Sequence, residues 1–232
     1  TMLVDASGEA HLWVGRSIVV DANFTDTTTS YYPTANGIWY WKESFGEANA
    51  QLIGGAFDYD GSGTINITST NFSELPFYGN NSLSSFPTAS LASNGDIFLV
   101  YSAINEQYAF NGAYYHTLYA MRSTNGGATW GDVVELTTKD YVDEGLIGLI
   151  ESVWPSMPPV TGDKLQILYQ QDFTPGCNIW GASHPAGESY MNWMEVDTST
   201  LPRSPLVGIS EPKGLDPAFA LKISPNPATS MA

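Results

Sequence analysis

Three segments of the chain repeat one strand–turn–strand pattern. They are TMLVDASGEAHLWV (1–14), PTASLASNGDIFLVY (87–101) and PSMPPVTGDKLQILY (155–169). Each segment has a hydroxyl residue at or near its start, turns at a glycine beside an acidic residue, and resumes as an alternating or apolar run. Two such runs joined by a glycine turn are typical of a β-hairpin. The pattern therefore predicts a chain built from copies of one antiparallel unit.

Further strand-like stretches follow the hairpins. YYPTANGIWYWKES (31–44), YYHTLYAMRS (114–123) and CNIWGAS (177–183) each resemble a third strand, and WGDVVELTT (130–138) resembles a fourth. Units of four strands are typical of β-propeller blades. A β-sandwich also has short strands and frequent turns, and it stays open as the alternative. The repetition favours the propeller.

The count of units bears on the size of the propeller. The sequence shows about three blades, whereas a closed propeller has at least four. We therefore expect an all-β chain that is the C-terminal part of a longer propeller of six or seven blades, with the missing blades upstream. Trp39 and Trp41 are two residues apart on the predicted strand within 31–44 and therefore face the same side, and we expect them in the core between blades.

The composition excludes some classes of partner. The formal net charge is −16, from 24 acidic and 8 basic residues. Binding to nucleic acid or to an anionic membrane needs clustered lysine and arginine, so neither partner is expected. No apolar run is long enough for a transmembrane helix. The single cysteine, Cys177, allows no disulfide within the chain.

The stretch MRSTNGGATWGDVVEL (121–136) contains a glycine-rich turn with polar residues at fixed spacing. It resembles the Asp-box, S-x-D-x-G-x-T-W, of sialidases and related BNR-repeat propellers. The matching residues are Ser123, Asn125, Gly127, Thr129 and Trp130, with asparagine at the usual Asp position. A short polar side chain at that position can accept hydrogen bonds from the turn's own amides. The resemblance implies a structural staple, on the face of the propeller away from any active site.

A second motif of the sialidases does not match. Sialidases carry F/Y-R-I-P before an innermost strand, and its arginine belongs to a triad that grips the substrate carboxylate. The matching positions here are Ser85 and Val153, and the chain has only three arginines, Arg16, Arg122 and Arg203. Bidentate binding of a carboxylate needs a guanidinium. We therefore do not expect these residues alone to form a sialidase triad.

Acidic residues on predicted loops are the candidate catalytic groups. Glycoside hydrolases use two carboxyl groups that flank the scissile bond. The candidates are Asp140, Asp143 and Glu144 in KDYVDEG, Glu106, and Glu151 before the innermost strand of the third unit. Glu151 is the best placed, because loops that enter innermost strands open onto the functional face of propellers. A solvated acidic loop is the alternative explanation for each residue.

The stretch DYDGSGTIN (58–66) has oxygen-bearing residues at alternate positions. It resembles the D-x-D-x-D-G-x-x-D calcium hairpin found in some propellers, and less closely an EF-hand loop. The candidate ligands are Asp58, Asp60, Ser62 and Asn66. Calcium prefers six to eight oxygen ligands, which a tight loop can supply. Calcium is therefore the only cofactor considered, and a plain Asp/Gly turn is the alternative.

Aromatic residues near predicted loops are the candidate ligand contacts. Planar rings stack on the apolar faces of sugars and serve as anchors in recognition sites. The candidates are Tyr108 and Phe110 in INEQYAFNG, together with Trp154.

The C-terminal stretch LKISPNPATS (221–230) resembles the opening of the C-terminal sorting domain of type IX secretion substrates in Bacteroidota. The resemblance depends on Ile223, Pro225, Asn226 and Pro227. It implies export across the outer membrane by the type IX machinery, to the cell surface or the medium. The expected organisation is propeller (1–205), linker (206–220) and the start of the sorting domain (221–232).

The sequence thus predicts a secreted, sialidase-like propeller protein. The favoured function is glycan or protein binding, as in an adhesion module. The alternative is a glycoside hydrolase whose catalytic residues lie partly in upstream blades.

Overall fold

The computed structural model describes residues 1–21, 25–27, 30–67, 75–76, 78, 81–137, 151–177 and 187–205. Its strands are β1 (Met2–Val4), β2 (Ala10–Gly15), β3 (Ile18–Val20), β4 (Ser30–Tyr32), β5 (Ile38–Lys42), β6 (Gln51–Gly54), β7 (Ser84–Ala92), β8 (Ile97–Phe110), β9 (Ala113–Ser123), β10 (Val134–Glu135), β11 (Glu151–Ser156), β12 (Val160–Thr161), β13 (Lys164–Asp172) and β14 (Tyr190–Asp197). Single 3₁₀ turns lie at Glu43–Phe45 and Thr198–Thr200. In these ranges, no helix is long and apolar enough to cross a membrane.

The strands form three consecutive sheets, named here units 1, 2 and 3. Unit 1 has the order β1-β2-β5-β6, unit 2 has β10-β9-β8-β7-β12, and unit 3 has β11-β13-β14. Neighbouring strands are antiparallel, except that the short β12 pairs parallel with β7. β3 and β4 form a separate two-stranded hairpin. Each unit is a meander that runs outward from its first strand, which is the arrangement of a β-propeller blade. The predicted all-β propeller fold is confirmed.

The units pack face to face because unit 2 is apolar on both sides. Side chains alternate between the two faces of a strand. Along β8, odd-numbered residues face unit 1 and even-numbered residues face unit 3. The first core contains Trp13, Ile38, Tyr40, Leu99, Tyr101, Tyr119 and Met121. The second contains Phe98, Val100, Leu118, Ala120, Leu165, Ile167 and Tyr169.

Strand direction gives the units two distinct ends. The end at which β7 and β11 begin is called the upper face, and the opposite end is called the lower face. Ser123, the last residue of β9, pairs with Ile97, the first residue of β8. The turn after Ser123 therefore lies at the lower face, beside the turn between β7 and β8.

The turn after Ser123 is held by its own side chains. The Asn125 Oδ1 atom accepts from the Thr129 amide at 2.9 Å, and the Ser123 hydroxyl accepts from the Gly127 amide at 2.8 Å. The Trp130 ring packs edge-on against Tyr40, with centroids 5.3 Å apart. Because Tyr40 belongs to unit 1, this turn of unit 2 fastens the two units together.

Two details concern the sequence expectations. β14, which was not predicted, pairs along β13 as the next strand of unit 3, and residues 178–183 of the predicted strand 177–183 lie outside the described ranges. Trp39 and Trp41 do not lie between described units. Ile38 and Tyr40 take the side of β5 that faces unit 2, so the tryptophans point away from it.

Gly127 offers a direct test of this packing. Its φ is +81°, and a Cβ atom there would lie 2.0 Å from the Tyr40 hydroxyl. We expect Gly127→Ala to lower the free energy of unfolding by about 2–4 kcal/mol, from backbone strain and displacement of Tyr40. Gly126→Ala is the matched control, because Gly126 has a φ of +65° but open space around it. We expect the control to cost about 1–2 kcal/mol in urea unfolding. Equal losses in the two variants would contradict the packing of unit 1 on this turn.

Candidate functional site

The first strands of units 2 and 3 share an unusual bulge near the upper face. The pairing register shifts between Ser85 and Thr88 in β7, and between Val153 and Ser156 in β11. An aromatic residue with left-handed φ occupies each bulge: Phe86 at +56° and Trp154 at +52°. Proline follows each of them. Such backbone is strained for a residue with a side chain, and strain of this kind clusters at functional sites.

The two bulges bring their rings together. Phe86 and Trp154 have centroids 5.9 Å apart, and Tyr78 lies edge-on to both, at 6.1 and 5.4 Å. We call Tyr78, Phe86 and Trp154 the aromatic triad. Tyr78 is buried, Phe86 is half-buried, and Trp154 is 37% exposed. Of the three rings, Trp154 is thus the one most exposed to solvent, and Tyr78 and Phe86 pack against it.

Glu151 lies beneath the aromatic triad and is completely buried. Its Oε1 atom accepts from the Tyr78 hydroxyl and from the Gly176 amide at 3.4 Å, and it lies 3.0 Å from His116 Nδ1. Its Oε2 atom accepts from the His116 amide at 2.6 Å. A buried carboxylate is tolerated when donors of this kind surround it. Glu151 therefore ties unit 3 to β9 of unit 2, directly below the triad.

One ring nitrogen of His116 has no hydrogen-bond partner among the described residues. The side chain is fully buried, and Nδ1 lies 3.0 Å from Glu151 Oε1. The Nε2 atom is buried and lacks a hydrogen-bond partner in the part of the chain that the structure describes. The upper face therefore holds this nitrogen atom close to the triad, since the rings of Tyr78 and His116 are 5.3 Å apart.

A second carboxylate lies opposite Glu151. Asp172 is its register partner on β13 and is also buried. Paired residues of this kind have their Cβ atoms roughly 4.5–5.5 Å apart. Burial, together with Glu151 and Asp172, raises the pKa of Tyr115 to about 12 and raises that of Tyr78 as well. Both phenols therefore stay neutral at physiological pH and remain hydrogen-bond donors.

More aromatic surface lies at the upper end of β13. Phe173 is 47% exposed, and its ring lies edge-on to Tyr190 with centroids 6.0 Å apart. The Tyr115 hydroxyl donates to the Phe173 carbonyl at 2.9 Å. The described upper ends of units 2 and 3 contain no lysine or arginine. Trp154 and Phe173 are thus accessible rings in surroundings with acidic groups and no basic ones.

Arg122 and Arg203 do not reach this region, whereas the exposed Arg16 follows β2 of unit 1, next to Gly15, which lies against Ser84 and Ser85. The Arg122 Nε atom donates to Asp96 at 3.1 Å, and Nη1 donates to the Thr198 carbonyl at 3.1 Å. Arg122 also packs over the Phe98 ring. It therefore belongs to the lower end of β9, where it joins units 2 and 3. Arg203 follows the turn that succeeds β14, also at the lower face.

The structure separates the predicted site residues into groups. Glu151 and Trp154 lie together at the upper face, with Glu151 below the surface. Tyr108 and Phe110 lie at the tip of the β8–β9 hairpin, on the side of the loop 58–66. The loop 58–66 and the turn at Ser123 form two further groups. The other predicted residues lie outside the described ranges; they are Asp140, Asp143, Glu144, Ile223, Pro225, Asn226 and Pro227.

The loop 58–66 contains two carboxylates that accept hydrogen bonds from its own amides. Asp58 and Asp60 accept from amides of the loop, including Ser62 N at 2.9 Å from Asp60. Hydrogen bonds from Asn66 and then Ser62 lower the pKa of Asp60 to about 2. The side-chain amide nitrogen of Asn66 donates to Asp60, and the Ser62 hydroxyl donates to the Thr64 carbonyl. The side chains of Asn66 and Ser62 therefore form hydrogen bonds with other residues of the loop.

Glu106 supplies the loop with a third carboxylate. It accepts from the amides of Tyr59 at 2.6 Å and Asn66 at 2.8 Å. Oxygen atoms of Asp58, Asp60 and Glu106 lie within 4.8 Å of one another. Three carboxylates so close together fit a hard cation such as calcium. Glu106 thus joins the predicted ligands Asp58 and Asp60 as a candidate ligand, whereas the sequence named Glu106 only as a candidate catalytic acid. The predicted ligands Ser62 and Asn66 lie in the same loop.

Several residues of the upper face escaped the sequence analysis. Tyr78, His116 and Asp172 have no local motif, and their proximity depends on pairing between distant strands. The sequence could have indicated Phe86 as a site residue, because Phe86-Pro87 and Trp154-Pro155 occupy the same position in two repeats.

Comparisons with known proteins give only distant structural likeness. No protein-family model and no curated protein matches the sequence. Among solved structures, the chain is similar to a thermostable family-43 glycoside hydrolase, with 12% identity and a TM-score of 0.43, over 91% of this chain. It is also similar to an endo-1,4-beta-xylanase from Bacteroides thetaiotaomicron, with 11% identity and a TM-score of 0.40, over 88% of this chain. The chain spans 60% of the length of each of these proteins.

The loop 58–66 yields a prediction about calcium. Titration of calcium into the purified protein should give binding heat and a higher melting temperature, because the cation offsets repulsion among the three carboxylates. Glu106→Gln should weaken binding by more than about tenfold. Glu47→Gln is the control, since Glu47 is exposed and is not one of the three clustered carboxylates. Absence of both heat and a melting shift in the unmodified chain would exclude the site.

Proposed function

We propose that the upper face of units 2 and 3 binds a carbohydrate. The observation that carries the proposal is the exposed Trp154 ring, held by a strained bulge above a buried network of hydrogen-bonding groups. A fixed ring loses little conformational freedom on binding, and its face matches the C–H surface of a sugar. Phe173 offers a second ring at the same end of the sheet.

The charges of the upper face favour a neutral sugar. Bidentate recognition of an anionic sugar needs arginine, and the described upper ends of units 2 and 3 have no basic residue. Glu151 and Asp172 would repel a carboxylate ligand. The proposal therefore differs from sialic acid recognition, even though the turn at Ser123 resembles that of the sialidases.

Hydrolysis of the bound sugar is the second candidate function. The observation in its favour is the pairing of Glu151 with Asp172, which supplies two neighbouring carboxyl groups at the upper face. Glycoside hydrolases need two such groups about 5–10 Å apart. Binding without hydrolysis is favoured because both Glu151 oxygens are already occupied by protein donors and the side chain is buried.

A panel of neutral and acidic oligosaccharides tests the binding proposal. We expect the protein to bind neutral members, and we expect Trp154→Ala to raise the Kd by about tenfold or more, because an aromatic anchor is lost. Trp193→Ala is the control, since Trp193 is exposed on the sheet surface of unit 3, away from the upper face. Binding only of acidic members, or an equal effect of the two variants, would contradict the proposal.

The same panel distinguishes hydrolysis from binding. The favoured proposal predicts that bound oligosaccharides are recovered intact after long incubation. The second candidate predicts cleavage products that disappear in Asp172→Asn while binding is retained. Cleavage that survives in both Asp172→Asn and Glu151→Gln would exclude this pair as the catalytic groups.

Two further parts of the proposal come from the sequence resemblances at Ser123 and at the C-terminal stretch. We propose that the turn at Ser123 is an Asp-box of the BNR type, and that residues 221–232 open a sorting domain for type IX secretion. Surface labelling of producing cells tests the second part: the protein should be accessible outside wild-type cells and retained in cells that lack the type IX machinery. Equal accessibility in both would contradict export by this route.

A further inference from the structure

The hairpin turn that opens unit 1 places three metal-binding side chains close together. Asp5 follows β1 directly, Glu9 immediately precedes β2, and His11 is the second residue of β2. One oxygen of each carboxylate and one ring nitrogen of His11 lie within 4.8 Å of one another. We call these three residues the turn cluster. His11 is 1% exposed, and this buried imidazole distinguishes the turn cluster from a group of solvated acids.

The two side-chain oxygens of Asp5 have different contacts. The Oδ1 atom accepts from the Ser7 amide at 2.8 Å, from the Ser7 hydroxyl at 2.7 Å and from the Glu9 amide at 2.9 Å. The hydrogen bond from the Ser7 hydroxyl is the largest cause that lowers the pKa of Asp5 to about 2, so the carboxylate is ionised at neutral pH. The Oδ2 atom lies 3.4 Å from His11 Nε2. The turn thus holds one oxygen of Asp5 and directs the other toward the imidazole.

The distance between Asp5 Oδ2 and His11 Nε2 fits two ligands of one ion better than an ion pair. At 3.4 Å it exceeds the length of a charge-assisted N–H···O bond, which is about 2.7–2.9 Å. Zinc binds imidazole nitrogen at about 2.0–2.1 Å and carboxylate oxygen at about 2.0–2.2 Å in tetrahedral geometry. Two ligand atoms on such an ion are therefore about 3.4 Å apart. Glu9 supplies a third ligand in the same cluster.

Tyr40 holds the other ring nitrogen of His11. His11 Nδ1 lies 2.8 Å from the Tyr40 hydroxyl, and the two rings are stacked with centroids 6.0 Å apart. Burial, and then the charges of Glu9 and Asp5, raise the pKa of Tyr40, so its hydroxyl stays neutral. A histidine that binds a metal through one nitrogen usually donates its other N–H to an oxygen, which fixes the ring orientation. With a metal ion on Nε2, Nδ1 carries the proton and has the Tyr40 oxygen as its acceptor.

Lys42 is a competing cation at this turn. It is paired with His11 across β2 and β5, and its Nζ atom lies 3.5 Å from Glu9 Oε2. The same Nζ atom lies 5.3 Å from the centroid of the Phe45 ring. Without a metal ion, the ammonium group balances part of the negative charge of the two carboxylates. A metal ion and the ammonium group therefore compete for Glu9.

We propose that the turn cluster binds one zinc ion through Asp5 Oδ2, His11 Nε2 and a carboxylate oxygen of Glu9. A set of one imidazole and two carboxylates suits zinc, whereas calcium prefers oxygen atoms alone, as in the loop 58–66. The bound ion would neutralise the two carboxylates in a chain whose formal net charge is −16. Three protein ligands leave the fourth tetrahedral position to water.

The turn cluster lies at the lower face of unit 1. A Cβ atom on Gly15, at the other end of β2, would lie 3.0 Å from the carbonyl oxygen of Ser84, which belongs to the upper face. The zinc site is therefore separate from the proposed carbohydrate site. Tyr40, which contacts His11, also lies beside Gly127 of unit 2. Zinc should thus fix the first hairpin against unit 2 and raise the melting temperature.

Calorimetric titration of the purified protein with zinc chloride tests the site, with excess calcium present to compete for the loop 58–66. The protein should bind one equivalent of zinc with a Kd in the micromolar range or below. Asp5→Asn should raise the Kd by more than about tenfold, because it removes the ligand oxygen and keeps the acceptor that holds the turn. Asp197→Asn is the matched control, since Asp197 Oδ1 accepts from the Ser199 amide at 2.8 Å and the Ser199 hydroxyl at 2.7 Å without belonging to a metal-binding cluster of the described residues.

Two further measurements separate a metal site from a hydrogen-bonded turn. Lys42→Gln should lower the Kd for zinc by about threefold or more, because no ammonium group competes for Glu9. Cobalt(II) in place of zinc should give the visible absorption of a tetrahedral site, and this absorption should be missing in Asp5→Asn. Glu9→Gln provides a second ligand variant if Asp5→Asn fails to fold, as judged by circular dichroism.

Three results would overturn the proposal. The first is an unmodified protein that takes up no zinc. The second is an equal zinc affinity in Asp5→Asn and Asp197→Asn, which would assign the binding to scattered surface carboxylates. The third is a zinc affinity that does not rise in Lys42→Gln.

Discussion

Burial on both faces of the middle sheet is the constraint on which the rest of the structure depends. Leu99 and Tyr101 pack toward unit 1, while Phe98 and Val100, on the same strand, pack toward unit 3. A sheet that is apolar on both sides needs a neighbour on each side. The three units therefore stack in chain order, and this order brings the first residues of β7 and β11 side by side at the upper face.

The two ends of the stack have different chemistry. The lower face holds the units together through local polar contacts: the turn at Ser123 places Trp130 against unit 1, and Arg122 links Asp96 to the Thr198 carbonyl of unit 3. The upper face instead holds two aromatic residues on strained backbone, two buried acids and a histidine nitrogen that has no hydrogen-bond partner among the described residues. Loops and strand ends on a rigid scaffold are where binding residues concentrate. The proposed carbohydrate site follows from this division.

The sequence predicts features whose causes are local. The glycine turns indicate the hairpins, and the repeated hairpins indicate the meander and the propeller. Contacts between distant strands could not be predicted, because they depend on register. No local sequence motif indicates that Asp172 pairs with Glu151, or that Glu106 contacts the loop 58–66. The strand Tyr190–Asp197 was not predicted, and its place beside β13 depends on pairing between distant residues such as Leu168 and Trp193.

Hydroxyl-radical footprinting in the presence of a neutral oligosaccharide tests the central claim most directly, because it reports the solvent access of individual rings. The account predicts that oxidation of Trp154 and Phe173 slows when the sugar is added, while oxidation of Trp193 and Phe57 is unchanged. All four rings are exposed in the free protein, so each can report a change. Protection of Trp193 or Phe57 with Trp154 unaffected would place the ligand elsewhere and contradict the account.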